Sequence, residues 1–233
     1  FRSIKTMKKL FFVIVTLIVS ITLSAQNRAF NVREIKAKDY SQEQIEATYD
    51  QAMKDVKLNQ GYVALQWIGA GSDNGVTHRL VWSWPLGVDM WEGNDMSSRG
   101  ELWWSKMSNH AEWGEQYSGR ILSWQDGTNE EYKQRHIWDF KVENSSQFKI
   151  AHDKMVKKFK KEFEGRSIGF GTYDINRPNG ATHWVIVSGK DDNDHMMLYD
   201  KLQSQVEFVN ILKERGKVEL VKDYMVGNLK SYE

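Results

Sequence analysis

The five residues Asn74-Gly75-Val76-Thr77-His78 return as Asn179-Gly180-Ala181-Thr182-His183, an offset of 105 positions. The offset holds outside the motif: Ser41-Gln42 matches Ser146-Gln147, Ile45 matches Ile150, Ser83 matches Ser188 and Asp89 matches Asp194, with no gap between them. Chance does not keep one register across about fifty positions of differing predicted structure, so the chain reads as a tandem repeat. Two units of roughly a hundred residues each are long enough to own a core. The expected boundaries are 1–25 for upstream residues and a secretory signal, 26–128 for the first unit and 129–233 for the second.

The leader is read from Lys8 and Lys9, the apolar run Leu10 to Leu23 and the small or polar Ser24-Ala25-Gln26. The run is too short for the roughly twenty residues that cross a bilayer, which predicts a cleaved signal and a periplasmic or secreted protein, with no membrane contact afterwards. The Ser-Ala-Gln ending resembles signals common in Bacteroidota, a Gram-negative group. The chain has no cysteine, so neither a disulfide nor a lipidated cysteine is available. Its formal charge of +1 carries no footprint for nucleic acid.

The second unit shows the clearest periodicity. Arg135 to Val142 alternates, with His136, Trp138, Phe140 and Val142 on one face, which predicts a strand. From Gln147 to Glu164, Phe148, Ala151, Met155, Phe159 and Phe163 recur at helical spacing behind the caps offered by Asn144-Ser145-Ser146. Ser167 to Tyr173 and Thr182 to Ser188 are β-rich and joined through Pro178-Asn179-Gly180, a hairpin signal. A helix from about Asp191 through Leu212 and a strand over 218–226 complete the unit. The first unit fits the same order with strands near 30–37, 62–69, 77–84 and 121–124 and helices near 41–58 and 102–113.

Strand, helix, strand, strand, helix, strand is the split βαβ arrangement. The predicted class is therefore α+β: two tandem ferredoxin-like βαββαβ units whose antiparallel sheets pack face to face as an intramolecular barrel. This order and the duplication resemble the dimeric α/β-barrel superfamily, which includes antibiotic-biosynthesis-type monooxygenases, stress-responsive barrel proteins and haem-binding or haem-degrading enzymes. The resemblance implies a barrel cavity for a small apolar or aromatic molecule and admits haem, although no cofactor follows from the residues themselves. With both halves on one chain, a monomer or weak homodimer is expected.

His78 and His183 are the candidate catalytic residues, because both open the second strand of a hairpin and imidazole transfers protons near neutral pH. They share a strand face with Leu80, Trp82 and Trp84, and with Val185 and Val187; that face, if turned into the barrel, brings both rings to one cavity. The alternative is turn chemistry, with imidazole bonded to the loop in each copy. Of ten tryptophans, Trp67, Trp82, Trp84, Trp103, Trp104 and Trp138 are candidate ligand-binding residues, and ordinary core is the competing account. No metal site is expected: His110, His136, His152 and His195 lack a ligand partner at helical spacing, and helix capping accounts for Asp191-Asp192-Asn193-Asp194. The glycines of Gly69-Ala70-Gly71 and Gly169-Phe170-Gly171 mark a bulge or a close backbone approach rather than a phosphate loop. Three functions stay open: an exported small-ligand binder, a monooxygenase- or cyclase-like enzyme with a barrel histidine, and a structural or interaction module of the envelope.

Overall fold

The computed structural model describes residues 28–92 and 96–233; the predicted secretory signal lies outside them. Strand β1 (Arg28–Ala37), helix α1 (Gln42–Met53), strands β2 (Tyr62–Ile68) and β3 (His78–Pro85), helix α2 (Met96–Met107) and strand β4 (Ala111–Gln125) form the first half. Strand β5 (Gln134–Val142), helix α3 (Ser145–Lys158), strands β6 (Ile168–Ile175) and β7 (His183–Gly189), helices α4 (Asp192–Gln203) and α5 (Val206–Glu214) and strand β8 (Val218–Tyr232) form the second.

Hydrogen bonding runs β4-β1-β3-β2 in one half and β8-β5-β7-β6 in the other, every pair antiparallel. The two sheets do not remain separate layers. Edge β2 joins β8 and edge β4 joins β6, so eight strands close into one barrel. The 15-residue strands β4 and β8 are long because each serves both sheets along different parts of its length. Closure leaves no edge with unpaired backbone groups.

Strand alternation sorts side chains into two compartments. Phe30, Val32, Val81, Tyr117, Ile137, Tyr173, Trp184 and Ile186 meet inside the barrel. Ile35, Ile45, Tyr49, Leu65, Leu80, Trp103 and Met107 fill the layer between the first-half sheet and its helices. The equivalent second-half layer holds Phe159, Ile168, Leu198 and Phe208, with Phe140, Phe148 and Phe170 beside them.

Asn144 caps α3 by accepting the Gln147 N–H, and Asp191 caps α4 by accepting the Asp194 N–H, as the acidic run predicts. Several boundaries differ from expectation: α1 ends at Met53, α3 ends at Lys158 and β8 runs on to Tyr232. The helix expected from Asp191 to Leu212 breaks at Gln205, which is extended (φ −95°, ψ 118°), and the turned chain buries Phe208 and Ile211. Helix α2 ends at Met107, and β4 starts ten residues before the predicted Ile121. Trp113 is thereby a strand residue. Its segment lacks clean alternation, and pairing with β1 over the whole of Ala111–Ile121 overrides local propensity.

Candidate functional site

The duplicated motif performs one mechanical task twice. Asn74 and Gly75 (φ 51° and 74°) and Asn179 and Gly180 (φ 50° and 80°) all adopt the left-handed conformation that Asn and Gly tolerate. The turn then presents threonine to the neighbouring strand. Thr77 Oγ1 accepts the Ala37 N–H at 2.9 Å and its backbone N–H donates to the Ile35 carbonyl; Thr182 does the same to Val142 (3.0 Å) and Phe140. Each histidine places Nδ1 2.8 Å from that threonine oxygen, and His183 Nε2 lies 2.8 Å from Ser145 Oγ.

Both imidazoles are buried, at 4% and 6% exposure, on the helix side of the sheet. The two rings therefore do not converge on the barrel interior, because residues 78, 80, 82 and 84 alternate outward while Arg79, Val81 and Ser83 alternate inward. Neither histidine lines either large cavity of the molecule. Burial pulls the His183 pKa down to about 4 and that of His78 below its usual range, so both rings are neutral at pH 7.

The tryptophans separate by half. Trp82 and Trp84 pack against the first-half core, in which Trp103 is buried. Trp103, Trp104 and Trp113 pack as a cluster, with the exposed Trp104 (36%) between the other two at centroid distances of 4.5 Å and 4.2 Å. The Trp67 ring lies over Gly69 and Gly227, where a Cβ would come within 2.4 Å and 2.2 Å of it. These six rings fill or flank the first half and meet no common cavity, whereas Trp138 stands in a different place.

In the second half the space between sheet and helices is hollow. A cavity of about 660 Å³ lies between the outer faces of β5, β7 and β8 and helices α3, α4 and α5. Trp138, Phe140, Phe148, Val185, Leu198 and Phe208 supply apolar walls. The polar groups are few: His136, His152, His195, Arg215 and Asp223 are the ones that bear on chemistry.

His136 and His195 are 59 residues apart in sequence and touch, Nδ1 to Nε2, at 2.8 Å. His136 Nε2 faces Asp223 Oδ1 at 3.7 Å, and Trp138 stacks on the His136 ring (3.8 Å, 29°). This order assigns the tautomers. The carboxylate favours a proton on His136 Nε2, so His136 Nδ1 accepts from His195 Nε2–H and His195 Nδ1 is left as a bare lone pair. That Nδ1 is buried without a partner, as is His152 Nε2. Burial first, and His136 second, lower the His195 pKa to about 4; burial alone dominates at His152, also about 4. Burial also lowers His136, against the pull of Asp223. Arg215 lies over Phe148 and Phe140, 5.4 Å and 5.8 Å from the ring centroids.

An apolar chamber with neutral, partner-free imidazole nitrogens can coordinate a metal centre of a bound molecule or accept a proton from one. Among the described residues no cluster of three His, Asp or Glu side chains is placed to bind a metal ion by itself. Sequence spacing gives His136, His152 and His195 no ligand partner and does not join them. The signal was present: His136 alternates with Trp138 and Phe140, His152 follows Phe148 by four, and His195 precedes Leu198 and Leu202 by three and seven.

No family model matches the chain, and no curated protein does. Solved structures do. A candidate monooxygenase of Fusobacterium nucleatum superposes with TM-score 0.59 at 14% identity, covering 89% of this chain and 95% of the other. One of Lactobacillus acidophilus gives 0.56 at 10% identity, with 89% and 99% covered. A haem-binding protein of Thermus thermophilus gives 0.53 at 8% identity, with 88% and 92% covered. At these identities the likeness is one of fold: the chain adopts the ferredoxin-like α+β architecture shared by these monooxygenase-type and haem-binding structures.

Proposed function

We propose that the protein binds a flat, largely apolar small molecule in the second-half cavity between sheet and helices. The observation that carries this reading is a chamber of about 660 Å³ with aromatic walls and buried imidazole nitrogens that have no partner within the protein. Pockets of this size with few polar groups are the usual form of small-molecule sites. The first-half layer, filled by Tyr49, Trp103 and their neighbours, serves as scaffold. The common strand order and the repeated threonine clamp support an origin by tandem duplication, and the leader supports export to the envelope.

Haem fits this site on the chemistry of its donors. His195 or His152 would hold the iron through an imidazole nitrogen that burial keeps unprotonated, and Arg215 would meet a propionate carboxylate. Bound haem would supply redox and oxygen chemistry that the side chains lack. The haem-binding protein of Thermus thermophilus shares the fold, which agrees with this reading.

The second reading, a monooxygenase- or cyclase-like enzyme, is favoured by the Asp223–His136–His195 chain. A proton taken by His195 Nδ1 is matched by release from His195 Nε2 to His136, and then toward Asp223. Here the catalytic imidazoles are His136 and His195, with His78 and His183 holding the turns.

Titration with protoporphyrin IX and with hemin separates the parts. Both should bind wild type, hemin should shift its Soret band, and His195→Ala or His152→Ala should abolish that shift while protoporphyrin still binds. Failure of both compounds to bind contradicts the cavity assignment for tetrapyrroles; an unchanged Soret shift in both variants removes the imidazoles from it.

A further inference from the structure

A second cavity, of about 380 Å³, occupies the barrel interior on the opposite side of the sheet from the site above. Its walls include Phe30, Tyr62, Ile186 and Trp184, and two glycines of β6 let the Trp124 and Trp184 rings lie against that strand. A Cβ at Gly169 would stand 2.4 Å from the Trp124 ring, and one at Gly171 2.4 Å from that of Trp184. The inner end is closed by a satisfied network. Arg79 Nε donates to Gln66 Oε1 (2.6 Å) and Nη1 to the Tyr224 hydroxyl (3.0 Å), while Tyr173 donates to Asp139 (2.7 Å).

Arg135 is not answered in this way. It is 7% exposed, its Nη2 donates to Asn129 Oδ1 at 2.8 Å, and its Nη1 is buried with no partner. The titratable groups that face it are the neutral Tyr62 phenol and another cation, Arg79. A guanidinium keeps its proton in any protein environment, so this charge is buried and uncompensated, a costly arrangement for the protein alone. Trp184 lines the same cavity, and its Nε1–H is likewise buried without a partner. Both orphans are donors. Arg28 adds a third guanidinium, and the carboxylates among the lining residues are Asp126, whose Oδ1 accepts the Trp124 indole N–H, and Glu233.

We propose that the barrel interior is a second ligand site, for a small carboxylate with a flat apolar body, held by Arg135 and Trp184. A carboxylate offers acceptors to both donors and neutralises the guanidinium, and the rings of Phe30 and Trp184, perpendicular at 5.5 Å, take the body.

Calorimetric titration with 2-naphthoate and with its neutral analogue naphthalene-2-methanol tests this directly. Wild type should bind the carboxylate at least roughly tenfold more tightly than the alcohol, and Arg135→Gln should erase that preference. Leu198→Trp, which fills the other cavity, should leave naphthoate affinity in place. If Arg135→Gln fails to fold by circular dichroism, Val81→Phe fills the barrel interior with the arginine intact and should abolish the preference for the acid over the alcohol. Equal affinity for acid and alcohol in wild type, or naphthoate binding lost in Leu198→Trp and kept in Val81→Phe, overturns the proposal.

Discussion

Thr77 and Thr182 each tie a turn to the strand beside it, at donor and acceptor positions that correspond residue by residue. Replacing either with valine keeps the shape and leaves a strand N–H without its side-chain acceptor, so each variant should lose about 1–2 kcal/mol in urea denaturation, by similar amounts. A negligible loss in both would show that the repeated motif is not a clamp. The residue scale also sets the pH response. His78, His136, His152, His183 and His195 are all held below the usual imidazole range by burial. The unfolded chain therefore takes up protons that the fold refuses, and stability should be full above about pH 6.5 and fall as pH drops toward 4. Asp139, pushed up to about 6, and Glu34, also raised, act in the opposite sense over part of that range. With five imidazoles against two carboxyls, denaturation at pH 7 and pH 4.5 should differ by roughly 3 kcal/mol or more in favour of pH 7; equal values would mean that the histidines are solvated. The motif that holds His78 and His183 was plain in the sequence because repetition exposes it, yet a clamp and a catalytic pair leave the same trace. Only the strand parity, which turns both rings away from the barrel interior, separates them.

Among the elements, β6 carries a tight packing constraint. A Cβ at Gly171 would lie 2.2 Å from the Arg120 carbonyl as well as against Trp184, so Gly171→Ala should cost about 2 kcal/mol or more, read as a lowered urea midpoint. A neutral result would mean that Trp184 is free to move. That these glycines mark a close approach follows from their place in a β-rich run; which ring approaches does not. Elements with clean periodicity, β5 and the first turns of α3 above all, stand where the alternation predicts. The misplaced ones are those that tertiary contacts define. β4 begins at Ala111 because β1 pairs with it there, and the α4–α5 break at Gln205 exists because two short helices cover the cavity roof and bury Phe208. Neither partner is visible within a local window.

At the scale of the molecule, β4 and β8 join the halves along both seams of the barrel, with β4 pairing β1 and β6 and β8 pairing β5 and β2. Far-UV circular dichroism and tryptophan fluorescence should accordingly trace one coincident unfolding transition, although most tryptophans lie in the first half. Two resolved transitions would mean that the halves fold separately. The α+β architecture was legible because a motif that returns after 105 positions and one element order leave few ways to close a barrel. The site was not, since His136, His152, His195, Arg215 and Asp223 come from five separate segments and no two of them stand at motif spacing. The most direct test of the second-half cavity as a ligand site is the fluorescence enhancement of N-phenyl-1-naphthylamine, a neutral flat probe, in wild type, Leu198→Trp and Val81→Phe. Binding should be present in wild type, lost in Leu198→Trp and retained in Val81→Phe. Binding retained in Leu198→Trp and lost in Val81→Phe would contradict the account.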